Sequence, residues 1–319
     1  MLSRDSSPRR RRWWKMGLEA CELPPPQSMS PENAVPRILV ITPVRDERAH
    51  LAATIESMTA QTLRPTAWMI VDDGSTDGTG ELIDRAAEEH SWIRGLRRPD
   101  RGRRKVGGGV IEAFDDGLAR FDLDDFDYVC KLDGDLRFGE RYFEALMEKF
   151  AADPRLGTAS GKCWDKTASG WTLLRTSDEF SLGAAKCYRV ECFRAIGGFV
   201  AEVMWDGIDC HRCSMLGWKA RSFHDEDLRL YELRPMGASH RSVFHGRWRW
   251  GWGLHFIGTH PLYAVAIACY RTFERPFALG GMCILGGYLW AALRRVPRYP
   301  DPAFRRHLRR WQLARLRLS

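Results

Sequence analysis

Short apolar runs alternate with amphipathic stretches over the first half of the chain. Four of the apolar runs have the length and composition of buried strands: residues 37–42, 67–71, 92–96 and 127–132. Four stretches between or after them repeat apolar side chains at helical spacing: residues 47–60, 79–89, 106–121 and 139–151. Strands that alternate with helices of this length predict an α/β fold, with a mostly parallel sheet and helices on both of its faces.

The second half of the chain has a less regular pattern. Strands are expected near 156–161 and 184–190, and a helix near 207–217. Residues 254–270 and 277–293 are each free of Asp, Glu, Lys and Arg, and each is at the lower limit of length for a bilayer span. They predict a pair of interfacial or re-entrant helices, with two true spans or two buried helices as the alternatives.

The C-terminal tail, residues 303–318, places apolar side chains between arginines at the spacing of a basic amphipathic helix. Such helices commonly lie on anionic lipid, and the alternative is a solvated charged helix. The chain has 49 basic and 41 acidic residues. Fifteen of the basic and two of the acidic residues lie in the two ends, residues 1–15 and 294–319, which leaves 34 basic and 39 acidic residues between the ends. Basic ends around an acidic interior favour an anionic membrane surface over nucleic acid as a partner.

The cysteines and the N-terminus bear on the compartment. Nine cysteines, with no apolar run after the N-terminal arginines, predict reduced thiols and a cytoplasmic location. With the apolar segments, this predicts a protein at the cytoplasmic face of a membrane, either peripheral, monotopic or with one to two short spans. Cys210 and Cys213 have zinc-like spacing, but they fall on a predicted amphipathic helix, where buried cysteine serves as a small apolar side chain.

Acidic clusters directly follow three of the predicted strands. They are Asp46-Glu47 after the first strand, Asp72-Asp73-Gly-Ser-Thr-Asp77 after the second and Asp133-Gly-Asp135 after the fourth. Ligands of an open parallel sheet bind beyond the carboxyl ends of its strands, so the three clusters should meet at one site. Gathered carboxylates need a compensating cation, and hard oxygen ligands suit Mg²⁺ or Mn²⁺ on a diphosphate. Each cluster alone could equally be an ordinary turn or helix cap.

The clusters also carry a family resemblance. Over residues 37–235, three motifs resemble in order and spacing the inverting glycosyltransferase family 2 with its GT-A fold: Thr42-Pro-Val-Arg-Asp-Glu47, Val71-Asp-Asp-Gly-Ser-Thr-Asp-Gly-Thr79 and Leu132-Asp-Gly-Asp135. The resemblance implies a nucleotide-sugar donor, with Asp135 as the main ligand of a metal on its diphosphate. It implies base contacts from Asp73 with Asp72 beside it, and a ribose or metal contact from Asp133. Thr42, Pro43 and Glu47 are then expected to line the nucleotide pocket.

A second family pattern concerns the general base. The family has a pair of acids, an Arg six residues after the second acid, and then Gly with an aromatic residue. Here Trp205-Asp206, Arg212 and Gly-Trp218 have that spacing, with Trp205 where the first acid is usual. The resemblance implies that Asp206 is the base, with Asp209 as the reserve candidate. Asp206 could also cap a helix, a role compatible with catalysis because it would fix the carboxylate.

Candidates for the remaining contacts are less specific. Processive members of the family carry Gln-x-x-Arg-Trp, whereas this chain has Phe244-His-Gly-Arg247-Trp248, which favours transfer of a single sugar. Arg247 and Trp248 are candidates for the acceptor side, with an interfacial Trp/Arg belt as the alternative. The basic run 101–105 is a candidate for the donor phosphates or base, or is a solvated loop.

The expected organisation has four parts. They are a disordered basic, Pro-rich leader (1–36), the GT-A catalytic domain (37–240), an apolar interfacial or membrane-embedded segment (241–295) and the basic amphipathic tail (296–319). The expected function is inverting transfer of one sugar to a hydroxyl of a glycan or lipid-linked acceptor, in envelope or extracellular polysaccharide assembly. Transfer to a polyprenyl phosphate, as in dolichyl-phosphate mannose synthases, is the alternative. A nucleotidyltransferase and a non-catalytic membrane-surface adaptor are more remote ones.

Overall fold

The computed structural model describes residues 35–102, 107–167, 170–234, 242–273 and 277–317, so nearly all of the predicted leader lies outside it. The first half of the chain contains β1 (Ile38–Val44), α1 (Leu51–Thr59), β2 (Ala67–Asp72), α2 (Thr79–Glu89), β3 (Ile93–Arg97), α3 (Gly108–Leu118), β4 (Tyr128–Leu132), β5 (Leu136–Phe138) and α4 (Tyr142–Ala152). The second half contains β6 (Leu156–Gly161), β7 (Cys163–Thr167), β8 (Gly170–Leu173), β9 (Ala185–Arg189), α5 (Val190–Ala195), α6 (Trp205–Met215), β10 (Lys219–Phe223), β11 (Leu230–Glu232), α7 (Val243–Ile257), α8 (Pro261–Arg271), α9 (Leu279–Leu293) and α10 (Pro302–Arg315).

A seven-stranded sheet lies at the centre of the fold, in the strand order β10–β6–β9–β4–β1–β2–β3. Its neighbouring strands are parallel except around β9, which runs antiparallel to both β4 and β6. Because β1 lies between β2 and β4, the carboxyl ends of these three parallel strands are adjacent. The sheet therefore places the three acidic clusters side by side, as the sequence predicts.

Alternate residues of β1 contribute to the two halves of the core. Ile38 and Val40 are buried in a cluster with side chains of α1, α2 and α4. Leu39 and Ile41 are buried in a second cluster, with side chains of α3 and α5. A run that is apolar at every position is what a strand covered on both faces requires. The predicted α/β fold, with a mostly parallel sheet and helices on both faces, is confirmed.

A second, four-stranded sheet, in the order β5–β11–β7–β8, is absent from the sequence prediction. Its strands have three to five residues and include polar, partly exposed positions. Runs this short contain too few apolar positions to establish a two-residue period. Within this sheet β11 pairs with β5, so that Glu232 lies opposite Leu136, directly after the third acidic cluster.

The predicted apolar segments form three helices rather than two. α7 is capped at its C-terminus by Gly258, which has a φ of +85°, and α8 begins at Pro261. α7 and α9 approach at glycines, since a Cβ on Gly251 would lie 1.8 Å from the Ile284 carbonyl oxygen. Within the described ranges, no helix has both the length and the apolar character needed to cross a membrane.

The C-terminal tail is part of the folded structure. Phe304 and Leu308 of α10 are buried in a cluster that includes Ile208 of α6. Trp311 of α10 lies edge-on to His211 of α6, with 4.9 Å between ring centroids. The predicted helix is therefore present, and protein covers Phe304 and Leu308 on its apolar face. Its contact with anionic lipid stays a prediction.

Candidate active site

The loops that follow β1 and β2 are joined by hydrogen bonds. The Asp46 N–H donates to Ser75 Oγ (2.9 Å), and Asp46 Oδ1 accepts from the Thr76 N–H (2.9 Å). The Glu47 N–H donates to Thr79 Oγ1 (2.8 Å). Asp46 itself has a φ of +54°, a left-handed conformation that is uncommon for residues other than glycine. These bonds fix the first two acidic clusters relative to each other.

Asp72 and Asp73, where β2 ends, have different partners. Asp72 Oδ1 accepts from the Ser75 N–H (2.7 Å), which closes the turn of the second cluster. Asp73 is buried and forms ion pairs with both Arg98 and Arg101. Arg101 is the first residue of the basic run after β3, and most of that run lies outside the described ranges. No motif marks Arg98, although it is one of the two arginines that pair with the Asp73 carboxylate.

Thr42 and Pro43 are buried within β1. Thr42 Oγ1 accepts from the indole N–H of Trp68 on β2 (2.9 Å). Pro43 lies opposite Val71 in the parallel ladder. The contacts of these two residues are therefore contacts within the sheet, and their place in a nucleotide pocket stays a prediction.

The third acidic cluster, after β4, contains two carboxylates in different surroundings. Asp133 Oδ1 accepts from the buried Lys131 Nζ, which also donates to the Gly183 carbonyl oxygen (2.6 Å). Burial, followed by the charge of Asp133, raises the pKa of Asp135 to about 6. A raised carboxyl pKa means that the negative charge is poorly compensated, so a cation bound there would stabilise it.

Arg234, two residues after β11, connects the first and third clusters. Its guanidinium pairs with the buried carboxylate of Glu47, and its Nε lies 3.9 Å from Asp135 Oδ2. The pair with Glu47 spans 187 residues, and no motif marks the arginine, so sequence reasoning missed it. One positive charge here faces two carboxylates.

Asp133 and Asp135 fit the oxygen ligands that Mg²⁺ and Mn²⁺ prefer. In the part of the chain that the structure describes, no three His, Cys, Asp or Glu side chains surround one metal position. Magnesium is commonly held by one or two carboxylates while substrate phosphates and water fill the remaining positions. The cluster thus fits a divalent ion that shares its shell with a diphosphate.

Asp206 and Asp209 differ in exposure, although both lie in the N-terminal half of α6. Asp209 is buried, with both oxygens 2.6 Å from Lys186 Nζ and a further hydrogen bond from the Tyr188 hydroxyl. Burial alone would lower the pKa of Lys186, but the charge of the Asp209 carboxylate outweighs burial, and the pKa of this lysine is raised. Asp206 is exposed, and its Oδ2 would lie 3.5 Å from a Cβ on Gly183. The geometry favours Asp206 over Asp209 as a base.

Gly183 brings Asp206 and the third cluster together. The Gly183 carbonyl accepts from Lys131, and the same ammonium group holds Asp133. The Asp206 carboxylate is a neighbour that a Cβ on this glycine would contact. The candidate base and the candidate metal ligands therefore border the same short segment.

Comparison with known proteins decides the family. The sequence profile described as glycosyl transferase family 2 matches residues 39–199, half of the chain. The chain belongs to glycosyltransferase family 2. It is 24% identical over 233 residues to "Glycosyltransferase GlyG" of Streptococcus pneumoniae, a match that covers 66% of this chain and 75% of the relative. It is 23% identical over 188 residues to "Succinoglycan biosynthesis protein ExoA" of Rhizobium meliloti, covering 50% of this chain and 52% of that protein.

A solved structure shares the fold of this glycosyltransferase. It is the mannosyltransferase PcManGT from Pyrobaculum calidifontis, in complex with GDP-Man and Mn²⁺. The TM-score is 0.50 at 20% identity, and the match covers 98% of this chain and 86% of that one. The likeness confirms the GT-A fold that the sequence predicts.

Trp205, which precedes the candidate base of this family 2 glycosyltransferase, contacts two lysines. The ammonium groups of Lys131 and Lys186 lie 5.4 Å and 5.5 Å from the centroid of its ring. Phe199 packs edge-on against the same ring, with centroids 5.0 Å apart. An aromatic face attracts cations, so the indole interacts favourably with both lysines.

Glu232, on β11 of the glycosyltransferase, is an acidic group that no motif marks. Burial raises the pKa of Glu232 to about 8, although a hydrogen bond with Cys163 acts to lower it. The charges of Asp165, Asp133 and Asp135 act in the same direction as burial. A raised pKa favours the protonated, uncharged form of a carboxyl group. The second sheet thus adds a further carboxyl group beside the third cluster.

The remaining candidates of the glycosyltransferase lie on α7 and α6. The ring of Trp248 is 6.4 Å from that of Trp290 on α9, and the Arg247 guanidinium is 5.6 Å from the ring of Trp250. These contacts resemble those of a Trp/Arg belt, and the acceptor role of both residues stays a prediction. Cys210 and Cys213 are buried on α6, where burial raises the pKa of Cys210 to about 12.

Proposed function

We propose that this glycosyltransferase moves a single sugar from a nucleotide-diphosphate sugar to a hydroxyl group, with inversion at the anomeric carbon. The observation that carries the proposal is the position of Asp206, an exposed carboxylate beside Gly183. The carbonyl of that glycine shares the Lys131 ammonium with Asp133. A hydroxyl hydrogen-bonded to Asp206 is then next to a sugar whose diphosphate is held at the third cluster.

On the donor side, the nucleotide binds along the first two clusters. Asp73 accepts from the base, and a ligand there competes with the arginines that now hold its carboxylate. Asp133 and Asp135 hold Mg²⁺ or Mn²⁺, which when bound offsets the negative charge of the departing nucleoside diphosphate. Arg234, near Asp135, is in reach to donate to a phosphate oxygen. The complex of the mannosyltransferase PcManGT with GDP-Man and Mn²⁺ supports a donor and a metal of this kind.

On the acceptor side, Asp206 takes the proton of the hydroxyl group as its oxygen attacks the anomeric carbon. Lys186 fixes the start of α6 for this role, because its ammonium donates to the Asp206 carbonyl (2.6 Å) and pairs with Asp209. The Asp206 side chain stays exposed and open to a hydroxyl. Attack from the face opposite the diphosphate inverts the configuration.

The product class is an intermediate of envelope or extracellular polysaccharide assembly. Phe244, where processive members of the family have Gln, supports the addition of one sugar per acceptor. The relative named as a succinoglycan biosynthesis protein supports a polysaccharide pathway.

The donor half of the proposal is tested by calorimetric titration with UDP, GDP and dTDP, in Mn²⁺ and in chelator. We expect one nucleotide to bind, with binding that requires the metal and is lost in Asp135→Asn. Glu88→Gln, an exposed carboxylate on α2, is the matched control and should bind like the unmodified protein. Binding that is equal in chelator, or that survives in Asp135→Asn, contradicts the metal site.

The acceptor half is tested with Asp206→Asn. We expect normal nucleotide affinity and a loss of several powers of ten in transfer of labelled sugar to membranes of the source cell. Anomeric NMR signals of the product report inversion or retention. Full transfer by Asp206→Asn would remove the base assignment and favour a polyprenyl phosphate acceptor, which is already ionised and needs no base.

A further inference from the structure

The exposed apolar side chains of the described residues are concentrated in one part of the molecule. Fourteen large hydrophobic side chains are exposed, and all but Val35 lie between residues 243 and 293. Single exposed hydrophobic residues are ordinary, whereas a large group of them marks an interaction surface. We call this group the α7–α9 apolar face, and its most exposed members are Leu293 (83%), Phe273 (81%), Met282 (65%) and Phe277 (62%).

The α7–α9 apolar face is the outer side of a well-packed layer. Leu254, Ala264, Ile284 and Tyr288 form a buried cluster between the same helices. α7 and α9 are in backbone contact, since a Cβ on Gly287 would lie 2.1 Å from the Trp248 carbonyl oxygen. The exposed side chains are therefore not part of the buried cluster that holds these helices together.

Arginines lie at the margin of this face. Arg294, Arg295 and Arg298 follow directly after Leu293, its most exposed side chain. Two arginines lie over tryptophan rings: Arg271 is 4.9 Å from the ring centroid of Trp250, and Arg294 is 5.8 Å from that of Trp290. Apolar side chains with Trp and Arg at their margin are typical of a surface that lies in the headgroup region of an anionic bilayer.

The charge pattern also separates this occupant from a second copy of the chain. An anionic lipid surface offers negative charge to Arg294, Arg295 and Arg298, whereas a second copy of the chain brings the same three positive charges.

The face is connected to the candidate base. A Cβ on Gly253 of α7 would lie 2.8 Å from Met204 Cγ, so α7 packs directly on this methionine. Met204 is the N-cap of α6, with a φ of +66°, and Asp206 follows two residues later. The helix that borders the apolar face therefore supports the backbone that presents the base.

We propose that the α7–α9 apolar face docks this glycosyltransferase on a bilayer that contains anionic lipid, and that the acceptor is a lipid-linked molecule taken from that surface. The evidence for docking is the exposed apolar side chains and the arginines at their margin, and it does not depend on the proposed function. The acceptor class rests on the proposed function, because it assumes that Asp206 is the base.

The docking is tested by co-sedimentation of the full chain with phosphatidylcholine vesicles, with and without phosphatidylglycerol. We expect binding to the anionic vesicles, and a loss of at least about tenfold in Met282→Glu with Leu293→Glu. Val35→Glu is the matched control, since Val35 is 71% exposed but lies outside the face. Arg294→Gln should weaken binding about fivefold, and only where phosphatidylglycerol is present.

Several outcomes would overturn the docking. One is unmodified protein that binds neither vesicle. Another is equal vesicle binding by the double variant and by Val35→Glu. A third is a dimer that Met282→Glu with Leu293→Glu converts to monomer without changing vesicle binding, which would make a second copy the occupant. Thermal unfolding of each variant verifies that it is folded.

The acceptor class is tested separately from the sugar transfer itself. Labelled sugar should enter the fraction of membranes that organic solvent extracts, and the double variant should lose this transfer while its nucleotide affinity is unchanged. A water-soluble product overturns the lipid-linked acceptor and leaves the docking in place. A lack of nucleotide binding by the unmodified protein overturns the proposed function, while vesicle binding still decides the docking.

Discussion

Replacing Asp209 by Asn should destabilise the protein strongly, because it removes the carboxylate that pairs with the buried ammonium group of Lys186. Lys186 is fully buried, and both Asp209 oxygens lie 2.6 Å from its Nζ. Removing one partner of a buried ion pair costs about 3–5 kcal/mol. The Asp206 carbonyl remains as a neutral partner for Lys186, so we expect the lower half of that range.

The matched variant is Asp206→Asn on the same helix. The Asp206 side chain is exposed, so its loss should change the free energy of unfolding by no more than about 1 kcal/mol, chiefly through the dipole of α6. Thermal unfolding at neutral pH separates the two variants. At about 2–4 °C per kcal/mol, the Tm of Asp209→Asn should fall by roughly 6 °C or more, and that of Asp206→Asn by a few degrees at most.

A third variant tests whether the buried charge is the cause. Lys186→Met combined with Asp209→Leu removes both charges and fills the space, so it should recover most of the lost stability. If Asp209→Asn unfolds at the same temperature as Asp206→Asn, the pair is not enclosed as the structure has it. Asp209 would then be accessible, and it would return as a candidate for the base.

Three further predictions concern the site and the helical layer. Asp135→Asn should stabilise the metal-free protein by up to about 3 kcal/mol above pH 6, because the raised pKa of this carboxyl group means that its negative charge opposes folding there. Urea unfolding should show this gain above pH 6 and no gain below about pH 4. A loss of stability at high pH contradicts the reasoning. Arg234→Gln should tighten Mn²⁺ binding several-fold in an electron paramagnetic resonance titration, since it removes a positive charge 3.9 Å from Asp135, and unchanged affinity would count against a metal at this carboxylate. Gly287→Ala should cost about 1–3 kcal/mol in thermal unfolding because its Cβ would meet the Trp248 carbonyl, whereas Gly139→Ala, with open space around it, is the control and should be close to neutral.

The sequence predicted those parts of the fold that depend on local pattern. The runs at β1, β2 and β4 are apolar at nearly every position, and each ends at its acidic cluster, so the sequence predicts both the strands and the sheet edge at which the clusters lie. The pair between Glu47 and Arg234 was not, because it joins residues 187 apart and belongs to no motif. The resemblance already ranks Asp206 above Asp209, and the structure adds a physical reason, because Lys186 encloses the Asp209 carboxylate.

The C-terminal helices show a different limit of sequence reasoning. An amphipathic pattern identifies a face that must be covered, but it has the same form whether lipid or protein covers it. α10 covers its apolar face with α6, whereas α7–α9 leave theirs exposed. The break between α7 and α8 depends on the left-handed conformation of Gly258. The apolar composition of residues 254–270 does not predict that conformation.

The packing of α10 on α6 has a consequence for how this chain can vary. Ile208, two residues after the candidate base, is buried by Phe304 and Leu308 from the far end of the sequence. The C-terminal region is therefore not an independent module that could be exchanged between proteins or removed to release a free-standing catalytic domain. The helix that carries the candidate base and the tail that ends the described chain should unfold together and diverge together, each constraining the substitutions that the other tolerates.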